Sequence, residues 1–173
     1  DEALHFLRIG TFLERADNTA RLLDVKFQSV AGDDYFGPRP LSSREAQKEA
    51  VQEVDFYHWS AVLRSVSGFE VYRKVYRNVI RPDKVAELLI LRPDMPRSLA
   101  ACVSALMTNL TLVANEQSAE TLRRAGRLHS DLQYGRIDEI LATGLHAYLT
   151  QFLDRVGDLG VGISRDFLVP MAA

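Results

Sequence analysis

The chain has 173 residues, of which 47% are hydrophobic and 25% are charged, and its formal net charge is −2. A chain of this length can form one domain that buries about 70% of its extended surface without disulfides or metals. The slightly acidic balance gives no reason to expect a nucleic-acid partner, and no run of about 18 apolar residues indicates a membrane span. The single cysteine, Cys102, cannot form an internal disulfide, which favours a reducing, cytoplasmic setting.

A long first helix is predicted from about Glu2 to Val30, with glycine and aspartate residues following it. On a helical wheel its apolar residues form one core-facing stripe, and four polar residues form the expected solvent face. The stripe contains Ile9, Leu13, Ala16, Ala20, Leu23 and Phe27, and the solvent face contains Arg8, Arg15, Thr19 and Lys26.

A third sector of the first helix carries a polar cluster that apolar residues flank along the helix axis. The polar cluster comprises Glu14, Asp17, Asn18, Arg21 and Asp24, to which Arg15 is added because it follows Glu14 directly. The flanking residues indicate charges set into a packed surface, where each charge needs a partner. Suitable partners lie three or four residues apart, as in Asp17 and Arg21 or Arg21 and Asp24.

Two interpretations of the polar cluster stay open. It is either an internal salt-bridge network that fixes how neighbouring helices align, or a site for a ligand or partner. In the first case, Glu14→Ala or Arg21→Ala would strand a buried charge and greatly reduce the free energy of unfolding.

Two capping boxes predict the next two helices. Ser42-Ser-Arg-Glu45 starts a second helix near Ser43, and Ser67-Gly-Phe-Glu70 starts a third. Pro82 and Pro96 are typical of a first helical turn and predict helices from Pro82 to Leu91 and from Pro96 to Ala114.

The C-terminal part of the sequence predicts two further helices. Asn115 is expected to cap the first, which ends before Gly135, and the second runs from about Ile137. Gly157, Gly160 and Gly162 in this last helix indicate a bend or a close approach of another helix. No segment alternates with the period of a strand, so the predicted fold is an all-α antiparallel bundle of about six to seven helices in a single domain, residues 1–173.

Several segments in combination resemble the bacterial Alpha-E family. The resemblance covers nearly the whole chain, implies an all-helical fold and assigns Glu14 and Arg15 to the family's Glu-Arg motif. The matching segments are Leu13-Glu-Arg-Ala-Asp-Asn-Thr-Ala-Arg-Leu-Leu-Asp24, Trp59-Ser-Ala-Val-Leu-Arg-Ser65, Glu70-Val-Tyr72, Tyr76, Val85-Ala-Glu-Leu-Leu89, Pro96-Arg-Ser98 and Ile137-Asp-Glu-Ile-Leu-Ala-Thr-Gly-Leu-His146.

The resemblance also implies partners. Family members are encoded beside, or fused to, ATP-grasp ligases and transglutaminase-like proteins, which implies a part in peptide or amide-bond synthesis or processing. Members about twice as long carry the Glu-Arg motif twice, so the single copy here implies a C-terminal fragment that lacks its N-terminal half. A face left exposed in such a fragment could be covered by that half or by a second copy in a homodimer.

Other chemistry has weak support in the sequence. Cys102 lies in the apolar stripe of Leu99 and Val103, where a thiol is an ordinary small hydrophobe. Two acid–histidine pairs, Glu2 with His5 and Asp55 with His58, have di-metal spacing. Roughly half of one such pair is expected by chance in this composition, so two pairs are not many more. No catalytic residue, metal or cofactor is therefore predicted.

Four further side chains are secondary candidates for a site. His146 lies at the edge of the last helix's apolar stripe, where a hydrogen-bonded structural role is expected. Trp59 with Arg64, and Tyr72 with Tyr76, are expected to be core packing rather than an aromatic binding box.

The sequence favours a non-catalytic accessory or scaffold protein of an ATP-grasp ligase system. The alternative is an enzyme in which the carboxylates around Glu14 and the imidazole of His146 line one pocket and act on an amine or amide substrate.

Overall fold

The computed structural model describes residues 1–30, 46–77 and 79–168. Across these ranges the chain forms eight α-helices and a π-helical turn, and no strand, which confirms the all-α prediction. The helices are α1 (Glu2–Val30), α2 (Ala46–Ser65), α3 (Phe69–Tyr76), α4 (Pro82–Leu91), α5 (Leu99–Leu112), α6 (Ala119–Gln133), α7 (Ile137–Thr143) and α8 (Leu145–Ile163), and the π-helical turn is Ser164–Leu168. The bounds predicted for the first helix are confirmed.

Four long helices form an antiparallel ring in the order α1, α5, α6, α8, with α8 returning to α1. Pairs at the two ends of three of these interfaces show the antiparallel directions. Between α1 and the α5 region, His5 pairs with Asn109 and Thr19 pairs with Arg97. Between α1 and the α8 region, Phe6 pairs with Phe167 and Asp24 pairs with His146. Between α6 and the α8 region, Asp131 pairs with Arg155 and Thr121 pairs with Asp166.

Helix α4 is enclosed by other helices. Five of its ten residues are fully buried, and it packs against α1, α2, α3, α5, α6 and α7. The buried residues are Val85, Ala86, Leu88, Leu89 and Ile90. A helix that is apolar on nearly every side is stable only when other elements surround it. Pro82 starts α4, as predicted.

The capping box predicted at Ser67-Gly-Phe-Glu70 is wrong. Ser67 has a φ of +55°, its amide donates to the carbonyl of Arg64, and the amide of Gly68 donates to the carbonyl of Leu63. These two bonds form a Schellman motif, so Ser67 ends α2 instead of starting α3. The capping box at Ser42–Glu45 lies outside the described residues.

Two helix starts also differ from the prediction. Helix α5 begins at Leu99, three residues after Pro96, because the Ser98 hydroxyl accepts from the amide of Ala101 and caps the helix. Asn115 does not cap α6 directly; its side chain accepts from the amide of Gln117 within the preceding turn.

The predicted last helix is broken in two. Gly144 has a φ of +106°, a conformation that favours glycine, and it separates α7 from α8. This break is why the described residues contain eight helices and not six or seven. Farther along α8, a Cβ on Gly162 would lie 2.6 Å from Thr121 Oγ1, which confirms a close helix approach there.

Candidate functional site

An open groove runs along α1 beside the C-terminal end of α2 and the turn before α5. We call it the Glu14–Arg15 groove, and its volume is about 480 Å³. Its lining residues are Thr11, Glu14, Arg15, Asn18, Thr19, Leu22, Ser65, Val66 and Arg97. Three members of the predicted polar cluster therefore share one cavity with Arg97, a residue that lies 82 positions after Arg15 in the sequence.

Thr19 fixes the position of Arg97 against α1. Its hydroxyl donates to the Arg97 carbonyl at 2.9 Å, and Thr19 is buried. Because Arg15 lies one turn before Thr19 on the same face of α1, this bond places the Arg97 segment beside Arg15. Glu14 and Asn18, also one turn apart, form the solvent-exposed edge of the groove.

The charges that line the Glu14–Arg15 groove are not paired within the described part of the chain. No carboxylate oxygen there lies within 4.0 Å of a guanidinium nitrogen of Arg15 or Arg97, and Glu14 has no cationic nitrogen within that distance. The Arg15 guanidinium lies 5.6 Å from the centroid of the Phe12 ring, on which it rests.

The pKa of the Cys102 thiol is affected by the charges of Arg15 and Arg97. Burial raises the pKa of its thiol to about 11, while the positive charges of Arg15 and Arg97 act in the opposite direction. Both cations are thus close enough to the same thiol to affect it, in agreement with their common place in the groove. The thiol itself is buried and is within 3.9 Å of the Pro96 carbonyl.

The expected burial of the polar cluster is wrong for three of its members, and Arg15, Asp17 and Asp24 are only half-buried. Glu14, Asn18 and Arg21 are exposed, and the Arg21 side chain retains 64% of its accessible surface. Arg21 does bond Asp17, at 2.8 Å as the spacing predicted, but Asp24 pairs with another residue. The cause is the orientation of α1, which turns its Arg15 and Thr19 side towards α5 and its Glu14 to Arg21 side towards solvent. Thr19 was predicted to lie on the solvent face, but it is buried.

Asp24 joins α1 to the start of α8. Its carboxylate accepts from Nδ1 of His146 at 2.7 Å, and the side-chain amide of Gln28 lies 2.9 Å from the same nitrogen. Since an ionised carboxylate can only accept hydrogen bonds, Nδ1 of His146 carries a proton and donates it in a hydrogen bond to the Asp24 carboxylate. The His146 side chain is 64% exposed, so it lies at the surface and not in the core, and it does not line the Glu14–Arg15 groove.

Of the remaining secondary candidates, Trp59 and Tyr72 are buried in the core as expected, whereas Arg64 is exposed. The ring of Trp59 is buried 4.4 Å from that of Phe27, and the Arg64 guanidinium lies 4.7 Å from the centroid of Phe69. Tyr72 is fully buried, and its hydroxyl donates to the carbonyl of Val79 at 2.8 Å. None of Trp59, Arg64 and Tyr72 is among the residues that line the groove.

The two histidines considered for a metal site have other partners. His5 Nδ1 lies 2.9 Å from Asn109 Oδ1, and His58 Nε2 donates to the carbonyl of Lys26 at 3.2 Å. Within residues 1–30, 46–77 and 79–168, no three His, Cys, Asp or Glu side chains are grouped as metal ligands. No helix in those ranges is both long and apolar enough to cross a bilayer.

A second cleft, of about 490 Å³, lies between α6 and α8 and is lined by Arg123, Arg124, Arg127, Leu128, Asp131, Arg155, Asp158 and Leu159. Most of its cations are already paired, because Glu120 bonds both Arg123 and Arg124 and Asp131 bonds Arg155. Three of its four arginines are therefore ion-paired, whereas Arg15 and Arg97 of the Glu14–Arg15 groove have no carboxylate partner in the described structure.

Comparison with known families places the groove in context. A family model matches residues 1–168. The chain belongs to the Alpha-E family. This family is described as a predicted alpha-helical domain with a conserved ER motif. Glu14-Arg15 is the only Glu-Arg dipeptide in the sequence, so the motif of this Alpha-E chain lines the groove.

The match extends along almost the whole chain, which does not bear out the expectation that the chain corresponds to the C-terminal half of the family. No curated protein and no solved structure matches it.

Sequence reasoning missed Arg97 and Ser65 as groove residues. Both stand in segments that carry the Alpha-E resemblance, Pro96-Arg-Ser98 and Trp59 to Ser65, which was a usable signal. Neither segment has a helical spacing to Glu14, so only the packing of α2 and the turn before α5 against α1 brings them to the motif.

Proposed function

We propose that this Alpha-E domain is a non-catalytic binding module that serves as an accessory subunit of an ATP-grasp ligase or transglutaminase-like system, with the Glu14–Arg15 groove as its recognition site. One observation carries the proposal: the family's Glu-Arg motif lines an open groove that presents unpaired charges within the described structure. Unpaired charges in a concave site are available to a partner, whereas ion-paired surface charges are already satisfied.

The hydroxyl groups of the groove support binding over catalysis. Those of Thr11, Thr19 and Ser65 each donate to a backbone carbonyl, at 2.9, 2.9 and 2.7 Å. A hydroxyl nucleophile would instead donate to a general base that activates it. The groove thus offers charges and fixed dipoles, which suit recognition.

The enzyme alternative is less well supported. It required the imidazole of His146 and the carboxylate of Glu14 to act on one substrate. His146 lies on α8, where it is bonded to Asp24, and it is absent from the groove lining, so its imidazole does not share the groove with Glu14.

The identity of the partner follows from the family resemblance alone. ATP-grasp and transglutaminase-like proteins accompany Alpha-E domains, so they are the partners to test. Size-exclusion chromatography with light scattering should be run on this chain and on each partner, alone and in combination, and the chain alone also reports homodimer formation.

Matched arginine variants decide whether the groove is the contact. Arg15→Ala and Arg97→Ala should abolish co-elution, because each removes a charge from the groove. Arg8→Ala and Arg21→Ala remove exposed arginines of α1 outside it and should leave co-elution unchanged. Absence of any complex, or equal effects of all four substitutions at intact helicity, would contradict the proposal.

A further inference from the structure

The Glu14–Arg15 groove carries charges of both signs at distinct places. Arg15 and the Arg97 segment lie together because Thr19 ties the Arg97 backbone to α1. Glu14 and Asn18 lie along the exposed edge, one helical turn apart. The groove therefore has a cationic side and an anionic edge within one cavity.

The cationic side suits a carboxylate. Guanidinium groups present parallel N–H donors that match the two oxygens of a carboxylate, and two such groups leave donors for both oxygens. Arg15 is half-buried and rests on the Phe12 ring, which limits its motion before any ligand arrives. Arg97 is exposed, so its side chain is free to close over the ligand.

The anionic edge suits an ammonium group. The Glu14 carboxylate can accept from two N–H donors and supply the opposite charge, while the Asn18 side-chain oxygen can accept another hydrogen bond. Within the described part of the chain, no cationic side chain forms an ion pair with the Glu14 carboxylate. The groove volume of about 480 Å³ lies within the range of small-ligand sites and exceeds what a single ion needs.

We infer that the Glu14–Arg15 groove binds a free amino acid or short peptide by both of its charged termini, with Arg15 and Arg97 on the carboxylate and Glu14 and Asn18 on the ammonium group. This inference rests on the proposed function, since it names the ligand of the same groove. Recognition of two opposite charges selects zwitterions against simple anions or amines, because a missing charge leaves its protein partner unpaired.

Three dipeptide probes test this selection. Glycylglycine carries both charges, N-acetyl-glycylglycine lacks the ammonium group, and glycylglycine amide lacks the carboxylate. Titration of the ¹⁵N-labelled chain, followed through the backbone amides of α1 and the Nε–H signals of Arg15 and Arg97, should show that glycylglycine binds at least about tenfold more tightly than either blocked probe.

Variants assign each charge to its terminus. Arg97→Ala or Arg15→Ala should remove the preference for glycylglycine over its amide while keeping the preference over the acetylated probe. Glu14→Gln should do the reverse. Arg8→Ala and Arg21→Ala, outside the groove, should leave all three affinities unchanged.

The outcomes separate this inference from the proposed function. Equal binding of the three probes, or no perturbation at millimolar concentration, would overturn the inference. If a partner then still co-elutes in an Arg15-dependent manner, the accessory role stands without a zwitterionic ligand. Dipeptide binding without any partner complex would support the inference and overturn the accessory role.

Discussion

Neighbouring residues of α1 differ widely in burial, and this decides the energetic value of each polar side chain. Thr19 is 3% exposed and hydrogen-bonded to Arg97, whereas Asn18, one position earlier, is exposed. A rotation of 100° per residue is enough to move a side chain from solvent into an interface. Polar groups on the exposed side keep their hydration, so their ion pairs contribute little to stability.

Arg21→Ala should leave the free energy of unfolding nearly unchanged. The Asp17–Arg21 pair is exposed to solvent, where Coulomb attraction is screened and side-chain ordering opposes it. Urea melts of the variant and the wild-type chain, at low and high salt, check this. A large loss of stability would mean that Arg21 is buried in solution, as the sequence pattern suggested.

Unlike the exposed Arg21, Asp166 is buried. Its carboxylate should stabilise the fold near neutral pH and lose this contribution in acid. The hydrogen bond from Arg165 lowers its pKa below the ordinary 3.8, with help from the Thr121 hydroxyl and against its own burial. A lowered pKa contributes stability that is present above pH 3.8 and lost as the pH falls through the folded value.

Asp166→Asn should therefore cost about 1–3 kcal/mol near neutral pH, by weakening the bonds to Thr121 and Arg165. The difference from wild type should shrink as the pH falls below 3.8, since protonation weakens the same bonds in the native chain. Urea melts at several pH values between neutrality and the acid limit of folding measure it. A difference that is constant with pH would show that Asp166 does not titrate with folding.

At the scale of elements, the three glycines of α8 have different surroundings. Gly162 faces Thr121 of α6, and an added Cβ would lie 2.6 Å from its hydroxyl oxygen. Added Cβ atoms on Gly157 and Gly160 would meet nothing within 4 Å. The close approach of α8 to α6 therefore depends on one glycine, and the other two only weaken the helix.

Gly162→Ala and Gly157→Ala should have opposite effects on stability. The first forces Thr121 away from its bond to Asp166 and should cost about 1–3 kcal/mol. The second removes unfolded-state freedom without a clash and should stabilise the chain by about 0.4–1 kcal/mol. Thermal melts of the two variants against wild type check the sign, and stabilisation by both would mean that α6 and α8 are farther apart than described.

At the scale of the molecule, the ring of α1, α5, α6 and α8 surrounds a buried core that contains Cys102 of α5. The thiol is 1% exposed, and burial raises its pKa to about 11. Because the thiolate is the reactive form, both effects protect Cys102 from electrophiles in the folded chain. Its reactivity is therefore a measure of how often the whole core opens.

Cys102 should react with a thiol reagent at pH 8 only when the bundle unfolds. Labelling followed by mass spectrometry should be slow without denaturant and complete across the urea transition. Leu89→Ala, which removes a fully buried side chain of α4, should speed labelling by destabilising the core by about 2–5 kcal/mol. Rapid, stoichiometric labelling of the native chain would contradict a closed core.

The sequence alone determined the helical character of this chain, the limits of α1, the start of α4 and the family to which it belongs. These features depend on local signals: apolar spacing, proline at a first turn, and a dipeptide motif with its neighbours. The Asp17–Arg21 pair was predictable for the same reason, since a four-residue spacing fixes it within one helix.

Packing between helices sets which face of α1 is buried and what lies opposite Glu14 and Arg15. Apolar spacing located the core stripe correctly, but a helix that packs against several neighbours has a wider buried sector than its apolar residues show, and so Thr19 is buried and Arg21 is not. The positions of Arg97 beside Arg15 and of His146 beside Asp24 arise from packing between helices far apart in the sequence, because no helical period relates residues 82 or 122 positions apart.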